Sequence, residues 1–150
     1  DTGSFQADGI DIFTFEVATI QGPFWAAAEY VTADADAPVV GDPSFDSYYV
    51  QAGYFLTGES KGFKTSSGAW NRTKPKSNWG EGKGAWEIAG RFSTIDLNDA
   101  GISGGEQDDF SLALNWYLNP VTRLMLNYVH ADVEGSGEAD FFLARWSFDF

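Results

Sequence analysis

The chain has no cysteine, one methionine, one histidine, and only nine lysines and arginines against 22 aspartates and glutamates. Without cysteine it has no disulfide framework, no thiolate metal site and no cysteine nucleophile. The formal net charge of −13 and the lack of a clustered basic surface argue against a nucleic-acid partner, because phosphate backbones are held by grouped lysines and arginines. No window reaches the roughly 18 consecutive apolar residues of a membrane-spanning helix, so a membrane role would require a β-barrel. The first residues carry no methionine, no basic segment and no apolar run, so any signal peptide is expected to be absent or already removed. Nucleophile elbows, phosphate loops and paired metal-binding histidines are missing, and paired carboxylates fall only in polar loops. The reading is of a protein that is not an enzyme and holds no metal or cofactor.

What is present is glycine and aromatic side chains: 17 glycines among six tryptophans, six tyrosines and 13 phenylalanines, in a chain that is 43% hydrophobic. That apolar content is too high for a disordered acidic tail, and glycine at this density points to short strands and turns rather than a helix bundle. At 150 residues the chain is one domain or part of one. Seven segments alternate with the period of two that a strand with one wet and one greasy face must show. Over residues 10–20, Phe13, Phe15 and Val17 share a face; after Gln21-Gly22-Pro23, Phe24, Ala26, Ala28 and Tyr30 alternate with Trp25, Ala27 and Glu29, which predicts a tight hairpin. Tyr48, Val50, Ala52, Tyr54 and Leu56 mark a third strand, and Trp86, Ile88, Gly90 and Phe92 a fourth. Phe110, Leu112, Leu114, Trp116 and Leu118 mark the fifth and clearest. Beyond the Asn119-Pro120 turn come Leu124, Leu126 and Tyr128, and then Phe142, Ala144, Trp146, Phe148 and Phe150. Residues 33–46 and 95–109 read as acidic loops. Residues 58–84 break the pattern and hold all five lysines, Lys61, Lys64, Lys74, Lys76 and Lys83, so they read as a long basic loop.

Tyr30, Tyr48, Trp86, Trp116, Tyr128 and Trp146 lie near strand ends, where a girdle at a membrane–water boundary needs amphipathic rings. The strands run about ten residues, long enough to cross a hydrocarbon layer when tilted. Short connections at 21–23 and 119–121 alternate with longer ones at 33–46 and 95–109, as in an outer-membrane barrel with short periplasmic turns and longer outer loops. A soluble antiparallel sandwich, for instance a carbohydrate-binding β-domain with an aromatic sugar platform, shares the short alternating strands. Against it stand the small and polar residues opposite the aromatics, which suit a water-filled lumen.

The terminal strand, with Phe142, Trp146, Phe148 and Phe150 on one face, resembles the signal that the bacterial barrel-assembly machinery reads on outer-membrane proteins. Several longer segments resemble the C-terminal part of the phosphate-selective porin O and P family. They are Gly22-Pro23-Phe24, Tyr54-Phe55-Leu56-Thr57-Gly58-Glu59, Gly84-Ala85-Trp86-Glu87-Ile88-Ala89-Gly90-Arg91-Phe92-Ser93, Gly104-Gly105-Glu106-Gln107-Asp108 and Asn115-Trp116-Tyr117-Leu118-Asn119-Pro120, and they recur in family order. The resemblance implies an antiparallel transmembrane β-barrel of the Gram-negative outer membrane, roughly 16-stranded and trimeric, of which residues 1–150 are the last seven or so strands. It also implies a passive channel for small anions such as phosphate. Expected partners are outer-membrane lipid, the assembly machinery, and either sister subunits or the rest of the barrel. Family orientation, with the C-terminus in the periplasm, puts the 58–84 loop on the periplasmic side. A non-conducting barrel segment that anchors a larger envelope assembly is the alternative.

Outside residues 58–84 the positive charges are Arg91, Arg123 and Arg145, all on the polar faces of their strands. A guanidinium facing lipid costs roughly 2–4 kcal/mol at mid-membrane, so if the aromatics face lipid these arginines face the lumen, where they would attract anions. Equally, each could pair with a lumen carboxylate such as Glu87 or Glu16 and brace the wall. The five lysines read either as a basic vestibule or as an exposed loop. His130, near the end of the sixth strand, reads as a boundary residue, since no orienting partner for a base is evident.

Overall fold

Each alternating segment becomes a strand. The computed structural model describes residues 2–149 and orders β1 (Gly9–Gln21), β2 (Phe24–Asp36), β3 (Ser44–Phe55), β4 (Phe63–Lys64), β5 (Ala69–Trp70), β6 (Ala85–Asp99), β7 (Ile102–Asn119), β8 (Thr122–Val133) and β9 (Gly137–Phe148). Phe150 lies outside the described residues. Seven strands form one antiparallel sheet in the order β1-β2-β3-β6-β7-β8-β9, an up-and-down meander with no helix among the described residues. β4 and β5 form a separate small hairpin inside the 58–84 segment. Strands of two residues are too short for any periodicity, and so this hairpin has no sequence signature.

The register sorts the residues onto two unlike faces. Phe24, Tyr54, Ile88, Leu114, Leu126 and Ala144 follow one another across six strands in a single apolar row. Neighbouring rows on that face carry Val17, Ala28, Val50 and Phe92, and, toward the tight turns, Trp86, Trp116, Leu124 and Trp146. Among the described residues only Trp79 packs onto this face from outside the sheet, against Trp116, and most of it is open: Phe142 is 83% exposed and Trp146 62%. Trp86 to Thr94, which pairs with Tyr48, spans nine residues of β6, roughly 26 Å of strand, comparable with the apolar band of a transmembrane barrel. The opposite face carries Trp25, Gln51, Glu87, Arg91, Asn115 and Arg123, and the 58–84 segment folds back onto it. Its core is Trp25, Phe55, Ala85 and Tyr117, with Ile20, Trp70 and Ala89 packed around them.

Three expectations are corrected. The acidic stretches are mostly strand: β2 runs to Asp36 and β3 starts at Ser44, leaving 37–43 as loop, and β6 and β7 meet in the Ala100-Gly101 turn. These strand ends carry few bulky apolar residues, so no strong apolar alternation marks them, yet their backbone groups still pair. The strands are correspondingly longer than about ten residues, reaching Ile102–Asn119 in β7. Connection lengths do not alternate between short and long either: the connections at the end opposite the tight turns are only residues 37–43, the Ala100-Gly101 turn and residues 134–136, while the longest, between β3 and β6, lies at the end of the Gly22-Pro23 and Pro120-Val121 turns, as the family orientation implied.

Candidate functional site

Glu87, on the middle strand β6 near its tight-turn end, is fully buried beneath the docked segment. Placing a carboxylate there requires donors on every side, since a lone buried charge is expensive. Its Oε1 accepts from Trp25 Nε1 at 2.7 Å and Lys61 Nζ at 3.2 Å; its Oε2 accepts from Asn115 Nδ2 at 2.9 Å and Tyr117 Oη at 2.7 Å. Four donors from β2, the 58–84 segment and β7 fill the carboxylate's lone-pair sites. Lys61 also lies over the Trp25 ring, 4.5 Å from its centroid. The Trp25 indole occupies the space a side chain at Gly53 would need: a Cβ there would stand 2.4 Å from Nε1. Trp70, at the end of the small hairpin, meets Trp25 edge-on at 5.2 Å and Phe63 at 5.7 Å.

A second set of contacts ties down the base of the segment. Glu59, only 5% exposed, accepts from the Thr57 hydroxyl and from the Lys76 N–H at 3.0 Å, while Thr57 Oγ1 accepts from the Trp86 N–H at 3.0 Å. Burial pushes the Glu59 carboxyl up, but these hydrogen bonds and the nearby Lys76 charge outweigh it and hold the group below the usual carboxylate range. The 58–84 segment is therefore docked on the sheet through a buried ion pair, an aromatic cluster and a hydrogen-bonded stem.

Arg91, Arg123 and Arg145 all lie on the covered face, at different heights and without converging. Arg91 lies over the Tyr49 ring at 3.9 Å, Arg145 stands opposite Met125, and Arg123 stands opposite Tyr117 beside the docked segment. None of the three has a carboxylate within ion-pair distance among the described residues, and Glu87 is taken by Lys61 instead. The lysines do not gather into one cluster. Lys61 turns inward, Lys64 lies in β4, Lys74 is exposed, Lys76 stands near Glu59, and the Lys83 carbonyl accepts both the Trp86 and Trp116 indole N–H groups at 3.2 and 2.9 Å.

On the bare face, Trp86 and Trp116 stack at 5.0 Å with Trp79 edge-on beside them at 5.7 Å, a compact girdle at the tight-turn end. Phe142 packs on Tyr128 at 5.1 Å, and Trp146 and Phe148 stack at 5.2 Å. His130 does have a partner: its Nδ1 lies 2.9 Å from Asp140 Oδ1, which Tyr128 Oη also reaches at 2.8 Å. That pair is set by β8–β9 register, which sequence spacing does not reveal. Sequence reasoning singled out Glu87 as a partner for an arginine, and missed that Trp25, Lys61, Asn115 and Tyr117 surround it. The available signal was a large aromatic and a mid-strand acid placed on the polar phase of their strands.

The phosphate-selective porin O and P family model matches residues 1–149. Porin O of Pseudomonas aeruginosa is 30% identical over 165 aligned residues, covering 99% of this chain and 36% of that protein. An uncharacterized protein of Caulobacter vibrioides is 36% identical over 125 residues, 83% of this chain and 25% of its own length. The chain thus spans about a quarter to a third of the length of these relatives. With seven antiparallel strands, one bare apolar face and one polar face, the chain belongs to the phosphate-selective porin O and P family of the bacterial outer membrane.

Proposed function

We propose that this chain is a section of a porin barrel that passes small anions such as phosphate, its bare face toward lipid and its covered face toward a water-filled lumen. The observation that carries this reading is the division of the faces: uncovered aromatic rows on one side, and on the other three arginines without carboxylate partners among the described residues. β1 and β9 are hydrogen-bonded on one side only, so further strands, about 16 in all for a larger porin, would pair with these edges and close the barrel. The tight-turn end faces the periplasm in this arrangement, and the docked 58–84 segment narrows the lumen from that side. Phe142, Trp146 and Phe148 form the bare-face edge that the barrel-assembly machinery would read, and trimerisation would bury part of the bare face.

The reversal potential of the intact protein in a planar bilayer under a salt gradient tests this reading. Anion selectivity is expected, and Arg123→Glu and Arg145→Glu each shift the potential toward cations. An unchanged potential removes these residues from the selectivity argument. The docked segment also favours a second reading, a blocked barrel that serves as an envelope anchor, and absence of conductance in the intact protein would select it.

A further inference from the structure

We propose that the sheet carries an ammonium-binding cage at Glu87, filled in this structure by the chain's own Lys61 and able to take a primary alkylammonium ion in exchange. An ion pair needs only the carboxylate. Here the Lys61 ammonium, 3.2 Å from Glu87 Oε1, is also faced by three rings: Trp25 at 4.5 Å, Trp70 at 5.8 Å and Phe55 at 6.0 Å from their centroids. Aromatic rings grouped about one cation, with a carboxylate completing the enclosure, are an arrangement by which proteins recognise ammonium ligands.

Most of the cage is built without Lys61. Trp25, Phe55 and Glu87 belong to β2, β3 and β6, and Gly53 leaves the room that the Trp25 indole fills. Trp25 Nε1, Asn115 Nδ2 and Tyr117 Oη hold the carboxylate at 2.7, 2.9 and 2.7 Å, which leaves its fourth acceptor position for an ammonium. Lys61 and Trp70 come from the docked segment, Lys61 from irregular chain just before β4. Lys61 is therefore a tethered ligand of a site that the sheet presents.

The surroundings decide how another amine can enter. A cavity of about 260 Å³ lies against Lys61, Trp70 and Tyr117, and Arg72, Arg123 and Asp149 also line it. Two guanidinium groups against one carboxylate oppose a further cation, so an ammonium enters only as Lys61 leaves, and the cage keeps its charge. A primary ammonium donates to Glu87 Oε1 as Lys61 does, whereas a quaternary ammonium has no N–H to give and is broader than the group it replaces. A short alkyl stem follows the course of the Lys61 methylenes, which points to the ends of aliphatic diamines and polyamines.

Because Trp70 closes the cage from the segment and the rest belongs to the sheet, an amine in a cage without Lys61 ties the two together. With Lys61 present, the amine competes with a tethered group at an effective concentration on the order of millimolar, and it loosens the segment. On the channel reading that release widens the lumen; the binding itself does not rest on that reading.

The test is hydrogen exchange of amides 58–84 in the intact detergent-solubilised protein, with n-propylammonium or tetramethylammonium chloride at matched ionic strength. The n-propylammonium ion is the fragment that Lys61→Ala removes. In Lys61→Ala it is expected to slow exchange about tenfold at ten times its dissociation constant. In the wild-type protein the same ion is expected to speed exchange, and tetramethylammonium does neither. Opposite signs in the two proteins mark occupancy of one cage, since a general salt effect acts alike on both. If Lys61→Ala does not fold alone, return of its heat-shifted gel band on refolding with n-propylammonium, and not with tetramethylammonium, carries the same meaning. Neither slowing nor refolding in Lys61→Ala, no speeding in the wild type, or equal effects of the two ions would each overturn the proposal. Conductance of the same preparation reads the channel separately: a conducting protein that fails the exchange test loses the cage alone, and a cage that fills in a non-conducting protein removes the channel alone.

Discussion

Lys61 and Glu87 form the contact on which docking of the 58–84 segment depends most, because Glu87 is fully buried and only Lys61 offsets its charge among the described residues. Replacing Glu87 by Gln leaves the ammonium facing an amide in a dry site, at a cost of roughly 3–5 kcal/mol. The expected result is protease cutting within 58–84 and a lower temperature for the heat-induced mobility change on a gel. Gly53→Ala acts on the same site from beneath: the new Cβ collides with the Trp25 indole and displaces the Nε1 donor, for roughly 1–3 kcal/mol, read as a red shift in tryptophan emission. Glu59 supplies a pH dependence. Its carboxyl is held below its ordinary value in the folded protein, so its contribution is complete above about pH 4 and is lost as the pH falls through the folded value. Protection of the segment's amides, corrected for the pH dependence of intrinsic exchange, is expected to be flat from neutral pH to about 5 and to fall below 4, with Glu59→Gln flattening that acid limb. Little of this residue-level chemistry was legible in the sequence. Arginine placement followed from strand phase alone, but the choice of Lys61 rather than an arginine as the partner of Glu87 is made by a segment with no periodicity at all.

At the scale of elements, strand existence and phase were readable because lipid-facing and lumen-facing residues must alternate, and one residue of slip would turn every arginine toward lipid. Strand ends were not readable. Thr32, Asp34 and Asp36 alternate only with the small Ala33 and Ala35, and Asp96 to Asp99 hold a single apolar residue, so neither stretch has the bulky apolar face that marks a strand, although both pair in the sheet. The β6–β7 turn hid for a related reason. It uses Ala100 at φ 47° and Gly101 at φ 84°, the two left-handed positions of a tight hairpin, without the Asn-Gly or Asp-Gly pair that signals one. Ala100→Asn relieves that conformation and is expected to stabilise the hairpin by up to about 1 kcal/mol, seen as a small rise in the heat-modification midpoint. The 58–84 segment is long for a connection at the tight-turn end, and its length is explained by its course: out from β3, across the covered face as a small hairpin, and back to β6. Replacing its central residues by a short Gly-Ser linker is expected to raise single-channel conductance, because the lumen loses its inward filling.

At the scale of the whole molecule, charge is separated along the strands. Asp34, Asp36, Asp99, Glu134 and Glu138 gather at one end, and all five lysines belong to the segment at the other. The net charge of −13 is not confined to the ends, because the covered face carries Glu16, Glu29, Glu87 and Asp109 beside Arg91, Arg123 and Arg145. The account stands or falls on which face meets water. The absence of cysteine from this chain makes that question open to single-cysteine labelling with a charged, membrane-impermeant thiol reagent. Val50 and Leu112 on the bare face are each 49% exposed without lipid, whereas their neighbours Gln51 and Ser111 on the covered face are less exposed. In the outer membrane the account predicts the reverse order of reactivity: cysteines at Gln51 and Ser111 label and change the channel current, while those at Val50 and Leu112 stay unlabelled. Fast labelling at Val50 and Leu112 in intact membranes, with Gln51 and Ser111 protected, would contradict the assignment of both faces and with it the channel.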